Sequence, residues 1–243
     1  MIPRTTLGRR AAMAAIYLER YGLSFVYLGL AGYQLHQMWV FDAAERAALG
    51  TNPLVGIAQQ IIRMQLNGYI GVMLLLGARV TVPPQNFKDL FIPLAATFFN
   101  LLYNAVTWLP AGCLRNLCPP DWQAPCVAAG LGLNLLGLAV AIWGAVYLGR
   151  SFGVFIEVKQ VVMAGPYAWV RHPMYAGYLC LMGGLVLVNF SLAYFILVPV
   201  HGALLVYRAR LEEARLAESS PAYREYRQRT GCLFPKISQL WQS

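Results

Sequence analysis

Six stretches of the chain are almost wholly apolar, and the polar residues gather between them instead of alternating within them. They run over about 22–41, 58–78, 89–109, 126–148, 174–189 and 192–208. A bilayer core takes about 20 helical residues to cross, and backbone inside it must satisfy its own hydrogen bonds. The pattern therefore predicts an all-α fold, a polytopic transmembrane bundle of about six segments. In the second stretch Gln59, Gln60, Arg63, Gln65 and Asn67 break the apolar run, so its first turns are expected to lie along the interface or to face other helices. The last two stretches are short and joined by little more than Asn189-Phe190-Ser191. That link implies an antiparallel helical hairpin.

Composition sharpens this picture. Of 243 residues, 58% are hydrophobic and 12% charged, against about 25% charged in ordinary soluble domains. The start of the chain, with Arg4, Arg9 and Arg10, does not read as a cleavable signal. No GxGxxG follows a strand pattern, so neither a dinucleotide-binding fold nor a soluble methyltransferase fold is supported. A cofactor must then bind among membrane helices and their cytoplasmic extensions.

The net charge of +9 is unevenly spread. Arg4, Arg9, Arg10 and Arg20 precede the first stretch, Arg79 and Lys88 follow the second, and Arg150, Lys159 and Arg171 follow the fourth. A further group from Arg208 to Lys236 follows the sixth, while the alternate connections carry little beyond Arg46, Arg63 and Arg115. Basic residues favour the cytoplasmic side, so both termini are expected there. Topology and attraction to anionic headgroups account for the charge without a nucleic-acid partner. Of five cysteines, Cys113, Cys118 and Cys126 fall in or beside the opposite connection at 110–125. A disulfide between two of them suits an oxidising compartment, but the spacing does not choose a pair. No His lies nearby, and no metal site is expected. Cys180 and Cys232 read as packing residues.

Other polar residues in apolar stretches carry weaker signals. Asn100 and Asn104 are four apart and share a helix face, where interhelical hydrogen bonding is at least as good a reading as a pocket. Asn134 and His201 read the same way, as helix-packing residues.

The chemistry concentrates in residues 165–177, Gly-Pro-Tyr-Ala-Trp-Val-Arg-His-Pro-Met-Tyr-Ala-Gly, and in Glu212-Glu213 beyond the next apolar run. Ionisable groups beside apolar spans are costly, and their clustering points to a polar ligand pocket at the membrane edge. Arg171 offers a planar fork for a carboxylate, and Glu212 and Glu213 offer acceptors. Tyr167 and Tyr175 combine a ring face with a hydroxyl. Gly165 and Gly177 permit close backbone approach. Adjacent residues on a helix sit about 100° apart, so one glutamate is expected to face the Arg171 region and the other solvent; which one stays open.

This segment closely resembles the signature of the isoprenylcysteine carboxyl methyltransferase family and the related phospholipid methyltransferases. The matching pieces are Gly165-Pro166-Tyr167, Arg171-His172-Pro173-Met174-Tyr175-Ala176-Gly177, Glu212-Glu213-Ala214-Arg215-Leu216 and Tyr223-Arg224-Glu225-Tyr226. The resemblance covers about Leu148–Ile237. It implies a catalytic region over 148–243, which leaves about four helical spans, read from the apolar pattern over 1–147, as an N-terminal region. It also implies S-adenosylmethionine as cofactor, and a lipophilic methyl acceptor from the bilayer. Its implied cofactor residues are Gln160, Val162, Gly165, Tyr167, Arg171, His172, Tyr175, Glu212 and Glu213, with Arg171 and Glu213 at the centre of catalysis. Ser219-Ser220-Pro221 departs from the Phe-Gly turn common in the family. His172 is read as a cofactor contact in preference to a base, because a carboxylate acceptor, with a pKa of about 4, is already ionised at neutral pH. A nicotinamide-dependent membrane reductase of sterols or enones is the alternative enzyme, since such enzymes bear a similar Arg-His-Pro-x-Tyr element. A phospholipid amine N-methyltransferase and a non-enzymatic membrane protein complete the alternatives.

Overall fold

The computed structural model describes residues 17–40, 53–76, 87–106, 109, 111–148 and 161–236. Gln160 and the basic residues Arg4, Arg9, Arg10, Arg46, Arg79, Arg150 and Lys159 lie outside them, as does the side chain of Asn104. A π-helical turn, Leu18–Leu23, leads into α1 (Ser24–Val40). Then come α2 (Pro53–Leu76), α3 (Phe87–Ala105), the short α4 (Ala111–Leu114) and α5 (Pro120–Leu148). A 3-10 turn, Gly165–Ala168, precedes α6 (Pro173–Asn189), α7 (Leu192–Ser219) and α8 (Pro221–Arg229). Among the described residues every regular element is helical. Beside the helices runs one isolated parallel bridge, Val170 with Gly231.

Two helices, Pro120–Leu148 and Leu192–Glu218, are long and apolar enough to cross a membrane, and Phe91–Tyr103 and Pro173–Asn189 are shorter apolar helices. The last apolar stretch differs most from its expected bounds, because α7 does not stop near residue 208. Its apolar part ends at Tyr207, and the same helix continues on charged residues. Arg208 pairs with Glu212 at 3.0 Å and Arg215 with Glu218 at 3.4 Å along the helix surface. Pro221 then ends it, since proline disfavours helical backbone in the residue before it, and Ser220 is extended.

The expected hairpin is present. Asn189 closes α6, Phe190 adopts a left-handed conformation at φ 42°, and Ser191 leads into α7. Helix α6 also lies against α5 along small residues. A Cβ on Gly137 would stand 2.5 Å from the Gly177 carbonyl, and one on Gly184 would stand 2.5 Å from the Gly130 carbonyl. Lipid gives apolar side chains little reason to prefer each other, so such backbone contact is a main source of helix association there.

Polar side chains knit the remaining helices. Gln34 accepts from Asn67 at 3.0 Å, Asn67 from Asn100 at 2.9 Å, and Asn100 from the Tyr178 hydroxyl at 2.8 Å. This ladder joins α1, α2, α3 and α6. It settles the reading of α2, whose Arg63 and Asn67 are buried against other helices. His201 bridges to α3 through the Tyr103 hydroxyl at 3.2 Å and the Ala96 carbonyl at 2.8 Å. The core between α6 and its neighbours is filled by Leu181, Met182, Leu185 and Val188.

Candidate active site at the charged end of the bundle

The site begins with a turn that only glycine fits. Gly165 has φ 60°, and a Cβ there would lie 2.4 Å from the Tyr147 ring of α5. Pro166 opens the 3-10 turn, and the chain then runs alongside the C-terminal segment. Arg171 N–H donates to the Gly231 carbonyl at 2.8 Å and His172 N–H to Cys232 at 3.0 Å. Proline at the first position of α6 lacks only a donor that no helical bond would use, so α6 starts at Pro173 directly after this pairing. On the other side, Ser220 caps α8 by accepting from Tyr223 N–H at 3.2 Å. That gives the Ser219-Ser220-Pro221 departure a structural role: it starts a helix. Helix α8 buries Tyr223 and Tyr226, and the Tyr226 hydroxyl donates to the Tyr167 carbonyl. Turn, helix and tail therefore form one cap.

Inside the cap, Arg171 Nε donates to Glu213 Oε1 at 2.7 Å, and its Nη1 donates to the carbonyls of Arg227, at 3.1 Å, and Thr230. His172 Nε2 lies 3.2 Å from the same Glu213 oxygen, and Arg227 Nε lies 3.5 Å from the other. Glu212 takes a second set of partners: the Tyr175 hydroxyl donates at 2.7 Å and Arg208 Nε at 3.0 Å. The rings of His172 and Tyr175 are parallel with centroids 5.3 Å apart, and the Arg208 guanidinium stands 5.4 Å from the Tyr175 centroid.

The expectation that one glutamate would point to solvent is thus not met. Helix α7 is approached from two directions, by the 165–172 segment with the tail and by α6, so the 100° splay gives each carboxylate its own partners. Burial opposes ionisation of Glu213, yet the hydrogen bonds from His172 and Arg171 outweigh it and lower its pKa from 4.5 to about 2. Burial likewise works against the Arg171 charge, and the Glu213 carboxylate more than restores it, so the guanidinium is held more firmly than usual.

Of the residues expected at the site, Arg171, His172, Tyr175, Glu212 and Glu213 form one bonded cluster, and Gly165 and Tyr167 build the turn beside it. Val162 lies in the irregular approach to that turn; Gln160 is outside the described residues. Three participants were not anticipated. Arg208 was legible as the partner of Glu212 four residues on; Arg227 and Cys232 reach the site only through the folding-back of the tail. Ligand atoms of His172, Glu213 and Cys232 lie within 4.8 Å of one another. A metal ion is a poor fit there, because Arg171 and Arg227 already approach the same carboxylate and a cation would face two guanidinium groups.

A cavity of about 80 Å³, partly open to the outside, adjoins this cluster. Its wall is apolar along Ile70 and Met73 of α2, Ala96 of α3, Tyr178 of α6 and Leu205 of α7, and includes Tyr175 and Arg208. Those two are the partners of Glu212. The polar cluster and the apolar chamber therefore share a wall.

Residues 125–220 match the sequence profile of the phospholipid methyltransferase family. A stretch of 123 residues is 34% identical to the cobalt-zinc-cadmium resistance protein CzcN of Cupriavidus metallidurans, covering 48% of this chain and 53% of that protein. The chain thus spans about half the length of the curated relative it matches.

Proposed function

We propose, on the match of residues 125–220 to the phospholipid methyltransferase family, a family of integral-membrane methyltransferases, that the protein is a membrane-embedded S-adenosylmethionine-dependent methyltransferase with a lipophilic acceptor. The proposed acceptor group is a carboxylate, as on a prenylcysteine or another lipophilic acid. In this reading the chain crosses the membrane about six times with both termini in the cytoplasm. Residues 1–147 supply about four of the crossings, and residues 148–243 form the catalytic region, whose cofactor pocket opens to the cytoplasm.

The observation that carries the reading is the shared wall of Tyr175 and Arg208. A polar cofactor and an apolar acceptor must meet at one point, and here a charged cluster touches a lipid-like chamber across two side chains. The donor set also fits the cofactor. Its amino-acid end is a zwitterion, and the cluster holds guanidinium groups beside carboxylates within a few ångströms. S-adenosylmethionine supplies an activated methyl group on a sulfonium.

The chain's own residues bind and orient. Arg171 and Glu213 take the central roles, Arg171 for a carboxylate and Glu213 for an ammonium or hydroxyl donor. Because Arg171 is already bonded to Glu213 and the tail, it engages a ligand by sharing that carboxylate's place, which couples ligand binding to the closure of the cap. Tyr175 lines the chamber with His172 and Glu212 beside it, Gly165 and Tyr167 shape the turn, and Val162 lies in the approach to it; a cofactor contact from Gln160 is proposed on the family resemblance alone. Arg208 stands where the acceptor's ionised end would arrive. No base is needed for such an acceptor. Alignment and exclusion of water can then lower the barrier by several kcal/mol.

Membranes containing the full chain, given S-adenosylmethionine labelled in its methyl group, are expected to transfer label into an organic-extractable product. Label confined to water-soluble material would contradict a lipophilic acceptor. Lability of the product to mild base distinguishes a methyl ester from an N-methyl lipid.

A further inference from the structure

At the end of the bundle away from the charged cap, the connection between α3 and α5 brings two sulfur atoms together. Cys118 Sγ and Cys126 Sγ lie 3.5 Å apart. We propose that Cys118 and Cys126 form a disulfide in the mature protein, leaving Cys113, Cys180 and Cys232 as thiols.

Three features argue that the pair is positioned and not merely near. The Cys118 N–H donates to the Asn116 side chain at 2.8 Å, and the Gln123 side chain donates to the Cys118 carbonyl at 3.4 Å. These bonds fix the bend that leads into α5 at Pro120 and turn the Cys118 side chain back toward the helix. Cys126 lies within the first two turns of α5, a rigid element. A disulfide has sulfur atoms about 2.05 Å apart, so closure asks for about 1.5 Å of movement, within reach of side-chain rotation on the loop side.

The two thiols also differ in access in a useful way. Cys118 is 5% exposed, whereas Cys126 is half-buried. Oxidation needs a disulfide-bearing exchange partner, such as a thiol oxidoreductase in its oxidised form. The Cys126 thiolate attacks that disulfide, forming a mixed disulfide and releasing one partner thiol. The Cys118 thiolate then displaces the second partner sulfur from Cys126. Two thiols of this chain become one disulfide, and the partner leaves as a dithiol carrying both electrons.

The bond would hold more than its own loop. The neighbouring Leu117 N–H donates to the Phe190 carbonyl at 2.8 Å, at the left-handed tip of the α6–α7 hairpin. A link from Cys118 to Cys126 therefore ties the loop covering that tip to α5. The inference rests on the proposed orientation only in requiring an oxidising compartment at this end.

The test uses the full chain trapped in its membranes by acid quenching, which stops thiol exchange without consuming thiols, then denatured and treated with a maleimide-polymer with and without reduction. The sequence has five cysteines. Three added polymers without reduction and five after it are expected, with the 118–126 pair seen as a linked peptide by mass spectrometry. Cys118→Ser and Cys126→Ser are each expected to give the same number with and without reduction, and Cys113→Ser is expected to retain the difference. Five free thiols in the trapped protein, a pair that includes Cys113, or thiols protected by a metal and released by a chelator would each overturn the proposal. Binding of S-adenosylhomocysteine by the same preparation reads the methyltransferase proposal separately.

Discussion

Replacing Glu213 with Gln keeps the shape of the side chain and removes its charge. In the structure Glu213 Oε1 is shared by Arg171 Nε at 2.7 Å and His172 Nε2 at 3.2 Å, with side chains of Arg171 and Glu213 only 9% and 6% exposed. Removing one partner of a buried pair outright costs about 3–5 kcal/mol. The amide oxygen of Gln retains a neutral acceptor and the Arg171 fork keeps its tail carbonyls, so about 2 kcal/mol is a reasonable share. That is about 30-fold in any equilibrium that requires the closed cap, at about 1.4 kcal/mol per tenfold. Glu212→Gln is expected to cost about 1 kcal/mol or less, because its side chain is 21% exposed and its Arg208 pair is of the i, i+4 kind, worth about 0.3–0.5 kcal/mol. Affinity for S-adenosylhomocysteine and the thermal midpoint of the detergent-solubilised chain both read this difference. Equal losses in the two variants, or a larger loss for Glu212→Gln, would refute the assignment of Glu213 as the carboxylate that holds the cap together.

Three further outcomes follow from the same geometry. Since the folded pKa of Glu213, about 2, lies below its ordinary 4.5, its ionic bonds stabilise the cap fully above about pH 4.5. That contribution is lost as the pH falls toward 2; acid unfolding of the wild type should show it and Glu213→Gln should not. Gly137→Ala is expected to lower the thermal midpoint by several degrees, because the new Cβ meets backbone at 2.5 Å, whereas Gly132→Ala, with nothing within 4 Å, is expected to be neutral or stabilising. Ala96→Phe, which extends into the apolar chamber, is expected to leave S-adenosylhomocysteine affinity within about twofold while reducing methyl transfer to a lipophilic acceptor; a parallel loss of both would detach the chamber from the acceptor.

The long helices were legible because each rests on an apolar run of sufficient length, and the three residues Asn189-Phe190-Ser191 left no room for anything but a tight reversal. The short α4 and the charged α8 carry no apolar run and were not located. The helical continuation of α7 past its apolar part was expected around Glu212 and Glu213, and Arg208–Glu212 and Arg215–Glu218 pair along it about one turn apart. The site residues from Gly165 to Tyr175 were legible by resemblance and by the cost of placing charge beside lipid. Their assembly was not. The backbone pairing of Arg171 and His172 with Gly231 and Cys232 joins segments some sixty residues apart, and no local pattern announces it. For the same reason Arg227 carried no site reading and Cys232 read as a packing residue, and the separate set of partners that engages Glu212 was not expected. The α5–α6 contact at Gly130 and Gly137 shows the converse case: the spacing of seven was present in the sequence, but its meaning depends on the glycines of the facing helix.

The central claim is that the charged cap holds S-adenosylmethionine. Isothermal titration of the purified full chain with S-adenosylhomocysteine, and separately with NADPH, tests it most directly. The account expects saturable binding of S-adenosylhomocysteine that is largely lost in Arg171→Ala and only partly recovered in Arg171→Lys, whose ammonium cannot reproduce the planar fork, with no saturable heat from NADPH. Saturable NADPH binding without S-adenosylhomocysteine binding, or S-adenosylhomocysteine affinity unchanged in a folded Arg171→Ala protein, would contradict it.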